Sequence, residues 1–427
     1  MKNIQKIKGT QDILPDISAK WQYIEKTVRT IMRRYGYNEI RTPMFEVTDL
    51  FARGIGQLTD IVSKEMYTFL DRSKKSITLR PEGTAPVMRA YLENNLGEAR
   101  PVQKLYYISP MFRQENPQAG RLRQFHQFGV ECIGPQAPEA DVETIMVGLD
   151  IYRELGLKNF TVKINSVGDA ESRIAYKAQL QEFLKPSFAQ LCPTCQQRYE
   201  TNPMRILDCK NEACNALIMD APRILDALTS DARAHFDKVL ALLDQNEVTY
   251  EIDHRLVRGL DYYTYTAYEF IGGSLGAQNA LGGGGRYDLL AEEIGAKKQT
   301  CAVGFAAGIE RLIMAMESEN LFPELQAGVD VFIATFGGAT QDAGFKLAHD
   351  LRKQNISTLT ELMGRSLKAQ MREANRSGAR FALILGEDEL RTRRASLKNL
   401  ANSDQKEVDL NQIAEEIKSQ LQSNQAR

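Results

Sequence analysis

One stretch, Met111 to Glu131 (MFRQENPQAGRLRQFHQFGVE), constrains the fold more than any other part of the chain. Turn-forming residues and arginines separate two short runs of alternating apolar character, which predicts a strand, a long basic loop and a second strand. The opposite faces of the second strand differ, because side chains alternate along a strand. One face is nearly all apolar and is predicted core, whereas the other carries Phe125, Gln127, Gly129 and Glu131.

Charged residues converge beside that polar face: Arg113, Glu115, Arg121 and Arg123. The face offers an aromatic ring, an amide and a carboxylate over roughly 20 Å, at about 3.3 Å per residue. This is the length of an extended anionic ligand. A solvated basic turn between two exposed strands explains the same pattern, so this stretch alone leaves both interpretations open.

Length and composition set broad limits. A chain of 427 residues, 43% hydrophobic and 26% charged, is typical of two or three globular domains. No apolar run approaches a membrane span, and the first residues lack the apolar centre of a secretory signal, so we expect a cytoplasmic protein without a membrane partner. With a net charge of −1, any nucleic-acid site must be a local basic patch.

The N-terminal region predicts a helix over residues 16–36, stopped by Gly36, and then a strand over 37–47. Pro43 should confine that strand to a sheet edge or a subunit boundary. Further on, Ser76–Pro86 predicts a strand, a turn and a helix capped by Thr84. Glu82 precedes this helix, and its carboxylate can support the helix dipole or bind a ligand amine. The sequence alone favours the structural role.

Four cysteines interrupt a mostly helical region at 169–245 with the spacing C-x2-C-x13-C-x4-C: Cys192, Cys195, Cys209 and Cys214. Two close pairs separated by a loop resemble a zinc ribbon or knuckle. The last pair is spaced less tightly, and the four residues between its cysteines could simply continue a helix. Free thiols are therefore the alternative to a metal site.

A second polar stretch, residues 254–270, predicts a strand opened by Arg258-Gly259, with Asp261, Tyr263, Tyr265 and Glu269 on one face. Such a face can be a pocket floor or a hydrogen-bonded core network. The glycine-rich segment Leu281–Tyr287 lacks the dinucleotide-binding spacing, and the sequence contains no P-loop motif. The glycines of this segment indicate either a close approach to a ligand or a sheet bulge.

A strand and a helix carrying Arg311 follow, and Pro323 and Gly328 then mark a linker. The pattern beyond them alternates β-α-β-α-β, which predicts a small, mainly parallel α/β domain. Its second helix carries a basic stripe: Arg365, Lys368, Arg372 and Arg376. A solvated helix face and a contact with RNA phosphates both explain such a stripe.

The order of these features, with the motifs RPEGT, QFHQFGVE, RGLDYY and KGTQD, resembles the class II aminoacyl-tRNA synthetases, and among them the bacterial histidyl-tRNA synthetases. The resemblance implies an α/β chain with an α+β catalytic domain at 1–325, built on a mainly antiparallel sheet. It implies a helical insertion at 169–245 with a cysteine-rich segment at 192–214, and an α/β anticodon-binding domain at 329–427. The implied reaction activates L-histidine with ATP to histidyl-adenylate and pyrophosphate, then transfers histidine to the 3′ end of tRNA(His).

The resemblance also implies roles for residues. Arg113 and Arg258 are the expected catalytic residues, on two sides of the α-phosphate. ATP, with Mg²⁺, is expected at Arg113, Glu115, Arg121, Arg123, Phe125 and Arg311. Histidine is expected at Glu82, Gly83, Thr84, Arg113, Gln127, Glu131, Arg258, Tyr262, Tyr263 and Tyr287. tRNA is expected at the basic stripe, zinc at the four cysteines would be purely structural, and the N-terminal helix and strand imply a homodimer.

Two other functions are alternatives. One is the synthetase-like regulatory subunit of ATP phosphoribosyltransferase in histidine biosynthesis, and the other is a structural RNA-binding protein. A non-catalytic relative has no need of Arg113, Arg121, Arg258 and Arg311 together, nor of a basic C-terminal domain. The sequence therefore favours the enzyme, and it shows no separate editing domain.

Overall fold

The computed structural model describes residues 3–56, 59, 61–118, 120–273, 279–325 and 328–425. The outermost residues of the predicted domains 1–325 and 329–427 lie outside the described residues. The chain divides into two compact units, Met1–Ile13 with Lys20–Phe322 and Leu14–Ala19 with Pro323–Arg427. Among the described helices, none has the length and apolar character that crossing a membrane requires.

The larger unit contains eleven described strands in two sheets. They are β1 Asn38–Glu39, β2 Phe45–Val47, β3 Thr68–Leu70, β4 Ser76–Leu79, β5 Gln103–Phe112, β6 Gln124–Ile133, β7 Phe160–Gly168, β8 Tyr250–Ile252, β9 Thr264–Gly272, β10 Ala280–Arg286 and β11 Ala302–Gly308. The large sheet has the order β1-β5-β6-β11-β10-β9-β7-β8, and the small one β2-β4-β3. Only the pairs β1/β5 and β7/β8 at the two edges of the large sheet are parallel, so the predicted mainly antiparallel sheet is confirmed.

Helices cover the large sheet. They are α1 Pro15–Arg34, α2 Thr48–Ile55, α3 Thr84–Glu93, α4 Leu96–Ala99, α5 Pro138–Glu154, α6 Ala170–Leu184, α7 Pro193–Thr201, α8 Glu212–Leu217, α9 Ser230–Gln245, α10 Leu290–Glu293 and α11 Ile309–Ser318. A π-helical turn spans Ile61–Glu65, and 3-10 turns span Lys185–Gln190, Pro203–Ile206 and Ile224–Ala227.

Hydrophobic cores fill both faces of the large sheet. On one face α1, α5, α9 and α11 pack against Phe128, Val130 and Cys132 of β6, the face that the alternating pattern predicted to be core. The other face packs against α3 and against α6, α7 and α8. Although α9 lies inside the range predicted as an insertion, its Phe236 joins the first core. The helices of 169–245 are therefore divided between the two faces of the sheet.

Two predicted strands differ from the structure. The strand predicted over 37–47 is broken into β1 and β2, because Pro43 between them has no N–H to donate to a ladder. The strand predicted to open at Arg258 begins only at Thr264. Tyr265 has a φ of 49°, and the pairing with β7 shifts register beside it, which disrupts the face predicted to start at Asp261.

The smaller unit contains β12 Val331–Thr335, α12 Gly338–Lys353, β13 Thr358–Thr360, α13 Leu367–Arg376, β14 Phe381–Leu385, α14 Glu387–Thr392, β15 Arg394–Asn399, β16 Gln405–Asp409 and α15 Ile413–Gln425. Its sheet has the order β13-β12-β14-β15-β16. The first three strands are parallel, as the β-α-β-α-β pattern predicted. The last two form an antiparallel hairpin that the sequence pattern did not predict, so the sheet is mixed.

Candidate functional site

Strands β6, β9, β10 and β11 of the large sheet line a cavity of about 550 Å³. Five of the six residues expected at ATP lie on its wall: Arg113, Glu115, Arg121, Phe125 and Arg311. Arg123 does not line it; its Nε donates to the Glu115 carbonyl oxygen at 3.4 Å, and its side chain packs beside Gly9. The structure therefore gives Arg123 a role in supporting the loop rather than in facing the cavity.

The arginines of this cavity are held by oxygen atoms of the protein. Arg113 Nε donates to the Pro81 carbonyl at 2.9 Å, and its guanidinium lies 5.2 Å from the centre of the Phe125 ring. Glu115 lies 3.7 Å from Arg113 Nη1 and 3.3 Å from Arg121 Nη1. Burial and the nearby positive charge of Arg121 lower the pKa of Arg311. The cavity wall carries five cations and four carboxylates, so an anionic ligand would be bound by individual arginines rather than by a large excess of positive charge.

Arg258 enters the cavity from the turn before β9 and pairs with Glu269 of that strand. Its guanidinium lies against Gly283 of β10, where an added Cβ would stand 2.6 Å from Arg258 Nη1. The glycine-rich segment is a strand inside the sheet, and this glycine makes room for a functional side chain. The pairing of β10 with β9 shifts register between Gly285 and Arg286, which agrees with the sheet-bulge interpretation of the glycines. A close approach of these glycines to a ligand stays a prediction.

A second cavity, of about 80 Å³, shares Arg113, Gln127, Arg258, Gly283 and Ala306 with the first. Eight of the ten residues expected at histidine line it: Glu82, Thr84, Arg113, Gln127, Arg258, Tyr262, Tyr263 and Tyr287. Gln127 Oε1 is buried and has no hydrogen-bond partner among the described residues, as expected of an atom that awaits a ligand. The shared wall makes the two cavities one composite site.

Gly83 and Glu131, the other two expected residues, lie behind the wall of the second cavity. A Cβ at Gly83 would stand 2.3 Å from Tyr107 Cζ, so this glycine leaves space for the Tyr107 ring. Glu131 is 1% exposed and accepts hydrogen bonds from Thr84 Oγ1, at 2.8 Å, and from the Tyr287 hydroxyl. Burial, only partly offset by these hydrogen bonds, raises the pKa of Glu131 to about 8.

The carboxylate of Glu82 caps α3. It accepts from the backbone N–H groups of Thr84, at 2.6 Å, and Ala85, at 3.0 Å. Thr84 is the first helical residue, and Gly83 at the cap position makes no side-chain bond, so the predicted Thr84 cap is wrong. A carboxylate reaches two free N–H groups at once, which leaves the Thr84 hydroxyl for Glu131. Burial raises the pKa of Glu82.

The four cysteines of the 192–214 segment come together. Their sulfur atoms all lie within 4.8 Å of one another, and those of Cys192 and Cys209 are 3.9 Å apart. Helix α8 begins only after Asn211, whose side chain accepts from the N–H groups of Ala213 and Cys214 and caps the helix. Cys209 therefore lies before the helix. The alternative in which a helix continues from Cys209 to Cys214 is therefore wrong.

Two of the four residues in the basic stripe of the smaller unit form ion pairs with carboxylates. Arg365 precedes α13 and pairs with Glu361 and Glu373, and Arg376 also pairs with Glu373. Lys368 and Arg372 are exposed on α13. Two of the four expected tRNA-binding residues are thus engaged with carboxylates of their own unit.

Comparison with known proteins decides the family. Residues 9–312 match the family model described as histidyl-tRNA synthetase, and residues 330–420 match the model of an anticodon binding domain. The chain belongs to the histidyl-tRNA synthetase family. A histidine–tRNA ligase of Chloroherpeton thalassium is 53% identical over 406 residues, covering 95% of each chain, and one of Desulforamulus reducens is 49% identical over 411 residues, covering 96% of this chain and 98% of the relative.

A solved structure agrees with this family membership. The crystal structure of apo histidyl-tRNA synthetase from S. aureus superposes with a TM-score of 0.83 at 40% identity, covering 97% of this chain and 100% of that one. The class II synthetase fold predicted from the sequence, with its C-terminal anticodon-binding domain, is confirmed.

Several residues that line the composite site of this synthetase-family chain were not predicted from the sequence. Tyr107 faces the second cavity from β5, directly opposite Gly129, and the alternation of β5 could have placed it there. Glu310 lines the larger cavity from α11, one residue before Arg311. Asp208 and Lys210 also line it, although they belong to the cysteine segment. No local pattern in the sequence connects that segment with this cavity.

Proposed function

We propose that this chain is a histidine–tRNA ligase, which forms histidyl-adenylate from L-histidine and ATP and transfers histidine to tRNA(His). The composite site is the observation that carries the proposal. A cavity with four arginines, suited to a triphosphate, adjoins a polar, tyrosine-lined cavity suited to an amino acid. Arg113 and Arg258 belong to the shared wall, where a carboxylate in one cavity meets the α-phosphate in the other.

The first step needs placement and charge rather than a nucleophile from the protein. A carboxylate oxygen of histidine attacks the α-phosphorus of ATP, the bond to the bridging oxygen breaks, and pyrophosphate leaves. Arg113 and Arg258 neutralise the charge that develops on the phosphorus oxygens, and Arg121 and Arg311 hold the departing phosphates. The 3′-hydroxyl of tRNA then takes the histidyl group and AMP is released.

Magnesium fits the donor set of the larger cavity. Glu115 and Glu269 line it, and their carboxylate oxygens are hard ligands of the kind that Mg²⁺ takes alongside substrate phosphates. These two residues would hold the ion, which would supply charge neutralisation at the phosphates. Phe125 supplies an aromatic surface for the adenine ring.

Selection of histidine rests on buried polar groups. Glu131, Thr84 and Tyr287 form one hydrogen-bonded unit beside the smaller cavity. Sites of this kind reject analogues without matching donors by about four to five powers of ten. The carboxylate of Glu82 and the free Gln127 Oε1 suit the α-ammonium group of the amino acid.

The surfaces of the two units suit two further partners, the anticodon region of the tRNA and a second copy of the chain. The smaller unit would bind the anticodon region, with Lys368 and Arg372 as its exposed cations and Arg365 and Arg376 supporting them. The sheet β2-β4-β3 carries exposed apolar side chains, namely Phe45, Val47, Phe69 and Leu70, which suits a twofold homodimer interface. Light scattering at micromolar concentration should give twice the chain mass, and a monomer would contradict the dimer. The expected compartment is the cytoplasm.

Zinc at the cysteine cluster is a further part of the proposal. A tetrahedral thiolate site has bonds of about 2.3 Å, which place its sulfur atoms about 3.8 Å apart. The 3.9 Å between the sulfurs of Cys192 and Cys209 fits this geometry. Backbone N–H groups of Cys192 and Asn211 donate to Cys214 Sγ and Cys209 Sγ, an arrangement that stabilises thiolates. Cys195 and Cys214 are buried, so the site would be closed and structural.

Histidine-dependent ATP–pyrophosphate exchange by the full chain tests the central proposal. Exchange should require histidine, and no other amino acid should replace it. Charging of tRNA(His) should then be measured with the same preparation. The regulatory-subunit alternative predicts neither activity, and exchange that is absent in a folded, ATP-binding preparation would favour it.

A further inference from the structure

The cysteine segment reaches the ATP cavity. Asp208 and Lys210 both line it, together with Arg258 and Arg311, which lie about 50 and 100 residues further along the chain. The residue between them, Cys209, belongs to the four-cysteine cluster. Holding Cys209 in the cluster therefore holds the backbone of Asp208 and Lys210 beside the cavity.

The same segment is attached to the turn that carries Arg258. Asn202 Nδ2 donates to Asp261 Oδ1 at 2.7 Å, and Arg205 Nη1 donates to the Gly259 carbonyl at 3.1 Å. The segment is thus tied at one end to the Arg258 turn and at the other to the sulfur cluster. Between these two attachments its backbone has little freedom to move away from the cavity.

Lys210 differs from the other cations of the cavity. Arg258 is paired with Glu269, Arg113 lies near Glu115 and donates to Pro81, and Arg311 donates to the carbonyls of Gly120 and Ala280. Lys210 has an exposed side chain, and no acceptor among the described residues pairs with its ammonium group. An unpaired ammonium at a cavity wall that also carries four arginines is suited to bind a phosphate group.

We propose that Lys210, presented to the cavity by the metal-bound four-cysteine cluster, is a further binding residue for the triphosphate of ATP. The inference rests on the proposed ligase function. The metal would hold the loop, and Lys210 would make the contact. ATP is favoured over the phosphates of the tRNA acceptor end, because Lys210 shares its cavity with Arg121 and Arg311. The cysteine cluster would then affect the activation step although it does not touch the reacting atoms.

Pyrophosphate exchange without tRNA separates these possibilities. Lys210→Ala should retain zinc and raise the KM for ATP about tenfold, as expected for the loss of one charge-assisted contact at an exposed site. Lys210→Arg should restore most of the affinity. The matched control is Lys238→Ala, which removes an exposed lysine of α9 outside the cavity and should change nothing.

The role of the four-cysteine cluster in holding the loop is tested with Cys209→Ser. The control is Cys301→Ser, which lies outside the cluster. Elemental analysis should find one zinc per chain in the parent and in the Cys301 variant, and none in Cys209→Ser. The Cys209 variant should show the same rise in KM, and adding Lys210→Ala to it should raise the KM no further, because both changes remove one interaction. If Cys209→Ser fails to fold, zinc removal from the folded parent by a chelator replaces it.

Three results would overturn the inference. They are an unchanged KM for ATP in Lys210→Ala, a zinc-free parent, and a defect of Lys210→Ala confined to the KM for tRNA in the charging reaction, which would assign Lys210 to the acceptor end. Failure of the ligase proposal itself looks different, because the parent would then lack histidine-dependent exchange altogether.

Discussion

The contact between Gly283 and Arg258 allows the proposed role of Arg258 to be tested without changing the arginine. In Gly283→Ala the new Cβ would stand 2.6 Å from Arg258 Nη1 and 2.9 Å from its Cζ. These atoms form the far end of a flexible side chain, so the guanidinium can retreat while the strand stays in place. We therefore expect a folded protein with a displaced arginine.

The size of the displacement follows from the distances. Ordinary van der Waals contact begins at 3.4 Å, so the guanidinium must retreat by about 0.8 Å. Misplacement of a catalytic group by about 1 Å typically costs about 100-fold in rate, or about 3 kcal/mol of transition-state stabilisation. Adenylate formation should slow by this factor, whereas tRNA binding by the smaller unit should not change.

The assay is single-turnover formation of histidyl-adenylate, with circular dichroism as the check on folding. Gly338→Ala is a suitable control, since its φ is not positive and, among the described residues other than its chain neighbours and its own helix backbone, none has a heavy atom within 4 Å of the added Cβ. A Gly283→Ala protein that folds normally and forms adenylate at the parent rate would refute the reasoning, because the guanidinium cannot keep its position beside the new methyl group.

Three more predictions follow from the site and the smaller unit. Arg258→His should leave the fold and histidine binding largely intact but slow pyrophosphate exchange by about 3 kcal/mol, as for other losses of one preorganised charge; exchange near the parent rate would contradict the role. Between about pH 5 and 8 the native protein keeps a proton on Glu131 that the unfolded chain has released. The free energy of unfolding should therefore fall as pH rises, by up to about 1.4 kcal/mol per unit. Urea denaturation should show this fall in the parent but not in Glu131→Gln, and parallel pH profiles would contradict it. Lys368→Ala with Arg372→Ala should weaken tRNA binding and lower the slope of log affinity against log salt by about one per charge, and an unchanged salt slope would remove these residues from the interface.

Local periodicity correctly predicted the elements whose apolar side chains all face one core. The helix α1 and the two faces of β6 are examples, because one apolar side of each is buried against a single core. The face of β6 with Phe125 and Gln127 lines the larger cavity, which agrees with one of the two interpretations that the sequence left open. Its binding of a ligand stays a prediction.

Contacts between distant parts of the chain could not be predicted in this way. The Thr84 cap was wrong because Glu82 competes for the same N–H groups and Glu131, 47 residues away, takes the threonine hydroxyl. The strand predicted from Arg258 starts six residues late because its first residues are bound by Asn202 and Arg205 of the cysteine segment. Lys210 reaches the cavity only through the folding of that segment, which leaves no local pattern.

The order of strands in the large sheet has a consequence for how the chain is made. Strand β6 lies between β5, its immediate predecessor, and β11, which is completed only at Gly308. A ribosome must add about 175 residues after Ile133 before β11 exists, which takes roughly 9 to 35 s at about 5–20 residues per second. Throughout that interval one side of β6 presents unpaired peptide groups, a template for association with other chains. The nascent polypeptide thus passes through a period of exposure to aggregation that ends when its last central strand is synthesised.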